Sequence, residues 1–246
     1  MTRLDLPQVT LIAVTSINME ATLQAIEACQ RQVRFAACKL LTHQEPARTL
    51  PGVDVVITTK ITSADQYSLF ILTDLAHHVQ TSHCLVVQWD GHVVAAERWD
   101  PEFLEYDYIG AYWPQFPDGS DIGNGGFSLR SRRLLEACQS PKFAISHPED
   151  VAIGRHNRTW LEGQGLRFAP REIADAFSAE RGSSLDTAFG FHGVWHMPQL
   201  IGADRFWDIY SGLEDRSSVY HDQSAITREL AGQPHGLRRC LRTVSY

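Results

Sequence analysis

The sequence predicts an α/β protein whose central sheet is mostly parallel and flanked by helices. Short β-branched runs alternate with helical patterns over the first part of the chain, and these runs are apolar on both faces. Strands of that kind lie in sheets that helices cover on each side. No internal repeat and no Pro/Gly-rich linker divides the 246 residues, so we expect one domain over residues 1–246.

The elements follow one another in chain order. Apolar or β-branched runs predict strands at Val9–Thr15, Phe35–Leu41, Val53–Thr58, His83–Gln88 and Gly125–Arg130. Apolar residues near helical spacing predict helices at Met19–Val33, Ser63–Gln80, Arg132–Cys138 and Pro148–Gly163. Ser63 is the expected N-cap of the second helix. The polar, loop-rich tail from about Ser211 gives no structural prediction.

Composition excludes several classes of protein. Apolar residues make up 43% of the chain and charged residues 21%, which excludes a wholly disordered chain. The net charge of −7, without a basic block, argues against nucleic acid as a partner. No run approaches the roughly 20 apolar residues of a membrane span, which leaves only peripheral membrane contact open. The start lacks a secretory apolar core and the five cysteines are scattered, so we expect a reducing, cytoplasmic location.

The first segment with a chemical pattern is LVVQWDGHVV, residues 85–94. A predicted buried strand ends there and is followed by Asp90, Gly91 and His92. Ligands of open α/β sheets bind beyond the carboxyl ends of the strands, and a carboxylate at this point can hold a divalent cation. The same Asp-Gly pair is also typical of an ordinary tight turn, and spacing alone leaves both interpretations open.

Two further segments combine turn residues with polar groups. IGNGGFSLRS, residues 122–131, has three glycines around Asn124, which favour either close approach to a ligand or a Gly-rich hairpin. It matches neither the P-loop nor the dinucleotide pattern. HPEDV, residues 147–151, has Glu149 and Asp150 at the expected start of a helix. There they either cap the helix or supply a general base for an acceptor hydroxyl.

Aromatic residues surround the last candidate positions. FGFHGVWH, residues 189–196, has His192 between glycines and aromatic residues, and the residues alone leave a ligand role and a buried structural role open. Trp113 is either a core residue or a platform, since aromatic faces stack on sugars and bases.

Taken in order, the segments resemble a bacterial and fungal domain family of unknown function that is treated as a group of GT-A-like nucleotide-sugar glycosyltransferases. The resemblance is carried by QWDGHV, WDPEFLEYDYIGAYWP, GNGGFSLRSRRLLEAC, HPEDV, LEGQGLRFAP, FSAE and FGFHG. It covers about Ser63–Gly193, over half of the chain. It implies a GT-A-like, Rossmann-like domain.

The resemblance implies a metal site for Mn²⁺ or Mg²⁺. Asp90 looks like the surviving carboxylate of a D-x-D motif, which holds the cation on the donor diphosphate. His92 stands where the second Asp would be. His192 resembles the C-terminal histidine that completes such sites.

The resemblance also implies residues for substrate binding and catalysis. Donor and acceptor sugars would be lined by Trp113 and by the stretch Asn124, Gly125, Gly126 and Phe127. Asp150 looks like the base of inverting members, and Glu149 beside it would bind an acceptor hydroxyl.

The expected function is therefore metal-assisted transfer of a sugar from a nucleotide-sugar donor to a carbohydrate or other hydroxyl acceptor, in carbohydrate biosynthesis. One alternative is a non-catalytic carbohydrate-binding or scaffold protein of the same fold. Another is a nucleotide-sugar hydrolase, since water can replace the acceptor in such a site.

Overall fold

The structure, a computed structural model, describes residues 3–232. Its strands are β1 Leu4–Val14, β2 Val33–Thr42, β3 Val53–Ile57, β4 His83–Val87, β5 Gly91–Val93, β6 Tyr108–Ile109, β7 Ala111–Tyr112, β8 Ile122–Gly123, β9 Phe127–Ser131, β10 Ser178–Ala179 and β11 Gly190–His192. Its α-helices are α1 Met19–Gln32, α2 Ala64–Thr73, α3 Arg132–Cys138, α4 Glu149–Val151, α5 Arg158–Gly163, α6 Arg171–Phe177, α7 Met197–Ile201, α8 Ala203–Ser211 and α9 Gln223–Ala231. Short 3₁₀ turns lie at Leu75–His78, Ala96–Arg98, Pro101–Glu105, Val194–His196 and Ser217–Asp222.

The central sheet has six strands in the order β3-β2-β1-β4-β9-β6. The first four of these run parallel, and β9 pairs antiparallel with both β4 and β6. Two small sheets, β10-β11-β5 and β7-β8, lie beside it. The predicted α/β architecture with a mostly parallel central sheet flanked by helices is confirmed.

The central strands are apolar on both faces because helices cover both faces. Successive side chains of a strand alternate between the two faces of the sheet. Val9 and Leu11 of β1 belong to the cluster that includes α1, whereas Ile12 and Val14 belong to the cluster that includes α2. Each fully buried aliphatic side chain contributes about 1.5–3 kcal/mol to folding. Burial on two sides therefore accounts for the unbroken apolar run in the sequence.

Helix α2 begins where the sequence predicted. The Oγ of Ser63 accepts the backbone N–H three residues later at 3.2 Å, which confirms the N-cap. The α-helix ends at Thr73, before the predicted Gln80, and a 3₁₀ turn at Leu75–His78 follows. Leu75 is fully buried in that turn, so the apolar pattern continues beyond the end of the helix.

The predicted helix Pro148–Gly163 is divided into α4, a π-helical turn at Ala152–His156, and α5. Asn157 lies at the division. Its Nδ2 donates to the carbonyl oxygens of Ala152 at 3.0 Å and Ala144 at 2.9 Å. An asparagine that bonds the backbone in this way competes with the helical ladder, which accounts for the interruption.

The tail from Ser211 is structured as far as the described residues extend. Phe206 of α8 and Ile226 and Leu230 of α9 are buried in one cluster. The remainder of the tail, residues 233–246, lies outside the described residues. Between residues 3 and 232, no helix has the length and apolar character that crossing a bilayer requires.

The order of the parallel strands creates an opening at one edge of the sheet. β1 has β2 on one side and β4 on the other. The chain leaves β1 towards β2 and returns after β3 to the opposite side of β1. Such a reversal of strand order leaves a crevice beyond the carboxyl ends of the two strands, here β1 and β4.

Candidate functional site

A cleft of about 710 Å³ lies at this crevice. Its walls come from loops at the carboxyl edge of the sheet and from the segments that pack against them. They are residues 14–18 at the end of β1 and just after it, 60–64 before and at the start of α2, 88–89 after β4, 124–126 before β9, and 147–150 before and at the start of α4. Glu180 and His192 also line the cleft, as does Asp215.

A row of charged groups consists of Asp90, His192 and Glu180. The Nε2 of His192 lies 3.5 Å from Oδ1 of Asp90, and its Nδ1 lies 3.3 Å from Oε1 of Glu180. Burial lowers the pKa of His192, but the two carboxylates outweigh burial and raise that pKa to about 10. At neutral pH the side chain is therefore an imidazolium between two carboxylates.

Strand pairing brings Asp90 and His192 together. β5 and β11 are antiparallel with His192 opposite Gly91, and the N–H of Gly193 donates to the carbonyl oxygen of Asp90 at 3.0 Å. A Cβ at Gly126 would overlap the His192 ring, so glycine is required there for the imidazole to approach. The two side chains therefore lie in contact, while their role as metal ligands stays a prediction.

Glu180 was not among the predicted site residues. It directly follows β10, which pairs in parallel with β11, and this pairing brings its carboxylate to His192. The segment FSAE belongs to the resemblance, but no local pattern marks its glutamate. The place of Glu180 in the site follows only from the pairing of β10 with β11.

His92 lies outside this group. It follows Gly91 on β5, and successive side chains of a strand point to opposite faces. Its ring packs edge-on against Phe191, with centroids 4.7 Å apart, and lines a separate pocket between α1 and α8. The expectation that His92 replaces the second Asp of a metal motif is corrected, because the pleat of β5 places it on the other side from His192.

The turn before β9 contributes backbone and one amide to the cleft. Asn124 has φ +77°, and its Oδ1 accepts the N–H of Gly126 at 2.8 Å. Its Nδ2 is buried and has no partner among residues 3–232. A Cβ at Gly125 would overlap the carboxylate of Glu149, so glycine permits the close packing of this turn on α4. Asn124, Gly125 and Gly126 all line the cleft, and their contact with a sugar stays a prediction.

Phe127 does not reach the cleft. It is fully buried, and its ring packs against Phe177 at 5.2 Å and Phe189 at 6.2 Å between centroids. Position 127 begins β9, and its side chain belongs to the cluster on the α1 face of the sheet. The expectation that Phe127 contacts donor or acceptor is corrected to a role in the core.

We expect Phe127→Leu to lower the free energy of unfolding on the order of 1–2 kcal/mol, because part of a packed aromatic cluster is lost. If the cleft takes up a nucleoside diphosphate, as the resemblance implies, that binding should stay at the wild-type level. Urea unfolding and calorimetric titration measure the two quantities. Trp113→Leu, in the cleft wall, is the comparison, and a larger loss of binding in Phe127→Leu than in Trp113→Leu would contradict the core assignment.

Trp113 lies in the cleft wall, as its predicted role requires. The indole is 7% exposed and lines the cleft. A Cβ at Gly123 would overlap the ring, so glycine at that position lets the strand pair β7-β8 pack against one side of the indole. Whether a sugar stacks on Trp113 stays a prediction.

Glu149 is held by buried partners. Its Oε1 accepts a hydrogen bond from Nη2 of Arg130 at 3.1 Å, and the Arg130 side chain is fully buried. The backbone N–H of Glu149 donates to Oγ of Ser68 at 3.1 Å. This ion pair accounts for the carboxylate in structural terms, and contact of Glu149 with an acceptor stays a prediction.

Asp150 faces a different direction from Glu149, since adjacent residues of a helix point about 100° apart. It is half-buried in the cleft wall, and its Oδ1 accepts the N–H of Val151 at 2.8 Å. Burial, together with the charge of Glu149, raises the pKa of Asp150 to about 6. A carboxyl group with such a pKa is mostly ionised at neutral pH, and it holds a proton more readily than an ordinary aspartate, which suits it to accept one.

Two residues, Asp90 and His192, could together bind a divalent cation. Oδ1 of Asp90 is buried and has no hydrogen-bond partner in the described part of the chain, and Nε2 of His192 lies 3.5 Å from it. A bound cation would take the place of the proton on that nitrogen, so cation and imidazolium are alternative states of this pair. Carboxylate oxygen and imidazole nitrogen are accepted ligands for such cations. Residues 3–232 contain no group of three or more His, Cys, Asp or Glu arranged to hold a metal, so ligand oxygens would have to complete the coordination.

Comparison with known families assigns the region that carries these groups. Residues 53–192 match a family described as "Protein of unknown function (DUF5672)". The chain belongs to the DUF5672 family. The DUF5672 region includes Asp90, the turn at Asn124, Asp150 and His192, whereas β1 and α1 precede it.

Solved structures similar to this DUF5672 protein include two of the galactosyltransferase LgtC. One is a complex with donor and acceptor sugar analogs, with 11% sequence identity and a TM-score of 0.46. The other is an active-site mutant, with 11% identity and a TM-score of 0.44. Each match covers 86% of this chain and 99% of the LgtC chain. A search of curated proteins gave no match.

Proposed function

We propose that the protein is a GT-A-like glycosyltransferase that transfers a sugar from a nucleotide sugar to a hydroxyl acceptor. The observation that carries the proposal is that Asp150 and His192 line one cleft at the switch point of the sheet, with Asp90 in contact with His192. Ligands of open α/β sheets bind at this point. A pair suited to a diphosphate-bound cation and a carboxyl group suited to accept a proton lie around the same opening.

The donor side of the cleft has groups that suit a leaving diphosphate. Asp90 and His192 would hold a divalent cation, which supplies positive charge where negative charge develops on the diphosphate. Lys60 lines the same cleft and makes no ion pair within residues 3–232. Its ammonium group would bind a phosphate oxygen and neutralise part of the charge there.

Asp150 would act on the acceptor. As the acceptor oxygen attacks the anomeric carbon in an inverting transfer, the bond to the diphosphate breaks and the hydroxyl proton must leave. The carboxylate of Asp150 would take this proton, and its raised pKa favours that step near neutral pH. Arg130 neutralises Glu149, so Asp150 works beside a compensated carboxylate rather than a free one.

The test of the function begins with a thermal-shift screen of UDP, GDP, dTDP and CDP, each with and without Mn²⁺. A nucleotide at a hundredfold excess over its dissociation constant stabilises the protein by about 2.7 kcal/mol. The nucleotide sugars of the nucleotide that binds are then assayed with a panel of glycoside acceptors. Transfer supports the proposal, cleavage by water alone identifies a hydrolase, and binding with neither reaction identifies a non-catalytic protein.

We expect Asp90→Asn to lose the Mn²⁺-dependent part of nucleotide stabilisation, because the amide keeps the shape of the side chain but removes its charge. Stabilisation by nucleotide alone should change little. Thermal shifts of wild type, Asp90→Asn and the remote control Asp54→Asn, on the exposed face of β3, measure this difference. An unchanged Mn²⁺ effect in Asp90→Asn would remove Asp90 from the proposed cation site.

A further inference from the structure

The HPED segment contains a side chain that the proposed function leaves without a task. His147 lines the cleft and is exposed, and its Nδ1 lies 2.8 Å from Oγ of Ser68. Ser68 belongs to α2 and is 1% exposed. The Nε2 of His147 has no hydrogen-bond partner among residues 3–232. A buried hydroxyl thus orients the ring and leaves its second nitrogen available to a ligand.

The single hydroxyl hydrogen of Ser68 has two candidate acceptors. One is Nδ1 of His147 at 2.8 Å, and the other is Oε2 of Glu149 at 3.5 Å. Hydroxyl donors normally bond at 2.5–3.0 Å to oxygen, so the longer contact is weak. Oε1 of Glu149 is already bonded to Arg130. The hydrogen of Ser68 therefore belongs on the bond to His147.

This assignment determines the tautomer of His147. An Nδ1 that accepts a hydrogen bond carries no proton, so in the neutral ring the proton lies on Nε2. The backbone N–H of Glu149 donates to the same Ser68 oxygen, which holds the hydroxyl in place from the other side. The Nε2–H group of His147 is therefore a hydrogen-bond donor at a defined position in the wall of the cleft.

We propose that His147, held by Ser68 as its Nε2–H tautomer, donates a hydrogen bond to the hydroxyl-bearing acceptor that Asp150 deprotonates; the identity of this ligand rests on the proposed function. A hydroxyl group both donates and accepts, so it needs an acceptor and a donor on the protein. Asp150 supplies the first and His147 the second, from one four-residue segment. Ser68 is then a positioning residue.

The tautomer is tested on the full chain without any assay of activity. Long-range ¹H–¹⁵N NMR of histidine-labelled protein, with His147 assigned by the His147→Gln variant, should show Nε2 protonated and Nδ1 unprotonated at mildly alkaline pH. Ser68→Ala should give a mixture of tautomers. A protonated Nδ1 in the wild type would overturn the inference.

The binding role is tested by kinetics with an acceptor that supports transfer. We expect His147→Leu to raise the KM for the acceptor about tenfold and to leave the KM for the donor unchanged, since one hydrogen bond to the acceptor is lost. His147→Gln, which keeps an N–H donor, should recover part of the effect. Equal kinetics in wild type and His147→Leu would overturn the role.

The chain supplies a matched control for this variant. His156 is also exposed, and its Nδ1 lies 3.0 Å from Oγ of Ser146, but it does not line the cleft. His156→Leu should behave as wild type. If the wild type transfers no sugar, the proposed function fails, and NMR titration with methyl glucoside decides the inference separately. A shift at Nε2 of His147 supports it, and a spectrum unchanged at both histidines overturns it.

Discussion

Asp150→Asn is expected to lower the turnover of the proposed sugar transfer by about 10²–10⁴-fold while nucleotide binding stays near the wild-type value. Asparagine keeps the size of the side chain and part of its hydrogen bonding, but it cannot accept the acceptor proton, and removal of a general base has an effect of this size. Initial rates of transfer and calorimetric titration of the nucleotide measure the two effects.

A helix-start carboxylate elsewhere in the chain provides the control for this variant. Glu172 lies in the first turn of α6, is exposed, and does not line the cleft. Glu172→Gln should keep full turnover, although it also removes an acidic group from a helix N-terminus. Near-wild-type turnover with a lowered melting temperature in Asp150→Asn would assign Asp150 to capping and remove the base from the mechanism.

The same carboxyl group gives a pH dependence of defined sign. Because the pKa of Asp150 is raised to about 6, kcat/KM should rise with pH through a midpoint near that value as the base ionises. Stability should change in the opposite sense. The folded protein holds this proton more tightly than the unfolded chain does, so the contribution of Asp150 to stability is lost as pH rises from its ordinary pKa to about 6. The melting temperature, measured at a series of pH values between about 4 and 6, should therefore depend on pH differently in wild type and in Asp150→Asn.

Arg130→Met is expected to lower the free energy of unfolding by about 3–5 kcal/mol. The Arg130 side chain is fully buried, and its Nη2 lies 3.1 Å from Oε1 of Glu149, whose charge it neutralises. Methionine of similar length removes the positive charge and leaves a buried carboxylate without its partner, a change that costs this much in other proteins. Urea unfolding followed by circular dichroism measures the loss.

Two comparisons separate loss of charge pairing from loss of packing. The double variant Arg130→Met, Glu149→Leu removes both charges and should recover much of the stability, because no buried charge is left alone. The Arg34–Asp5 pair is shorter, at 2.7 Å, but lies on the surface. Arg34→Met should therefore have little effect, since exposed ion pairs contribute little. A double variant as unstable as Arg130→Met would mean that packing, not charge, accounts for the loss.

The class of fold and the sequence positions of most central strands could be predicted from the sequence. β1, β2, β3, β4 and β9 all overlap predicted runs, because strands buried on both faces need an unbroken series of apolar side chains. The start of α2 could also be predicted from nearby residues, because the side chain of Ser63 caps the helix. Such features depend on residues close to one another in the chain, and their signal is present in any short window of it.

The helix around residues 148–163 shows where local patterns stop being sufficient. The spacing of its apolar and polar residues is helical. The side chain of Asn157, however, forms hydrogen bonds with the backbone of Ala144, outside the helix, and the helix is interrupted at Asn157. One partner of that amide, Ala144, lies outside the predicted helix, so helical periodicity within the helix carries no sign of it.

Most residues of the candidate site could be named from the sequence, but only the tertiary structure shows which of them lie together. Asp90, Asn124, Asp150 and His192 were named from local segments. The fold places Asn124, Asp150 and His192 in the wall of one cleft and Asp90 in contact with His192. Only strand pairing decided that Glu180 joins His192, that His92 points to the other face, and that Phe127 is in the core. The physical reason is that the sequence states the chemical type of each side chain directly. The neighbours of that side chain, and the face of the sheet on which it lies, depend on which strand pairs alongside and in what register.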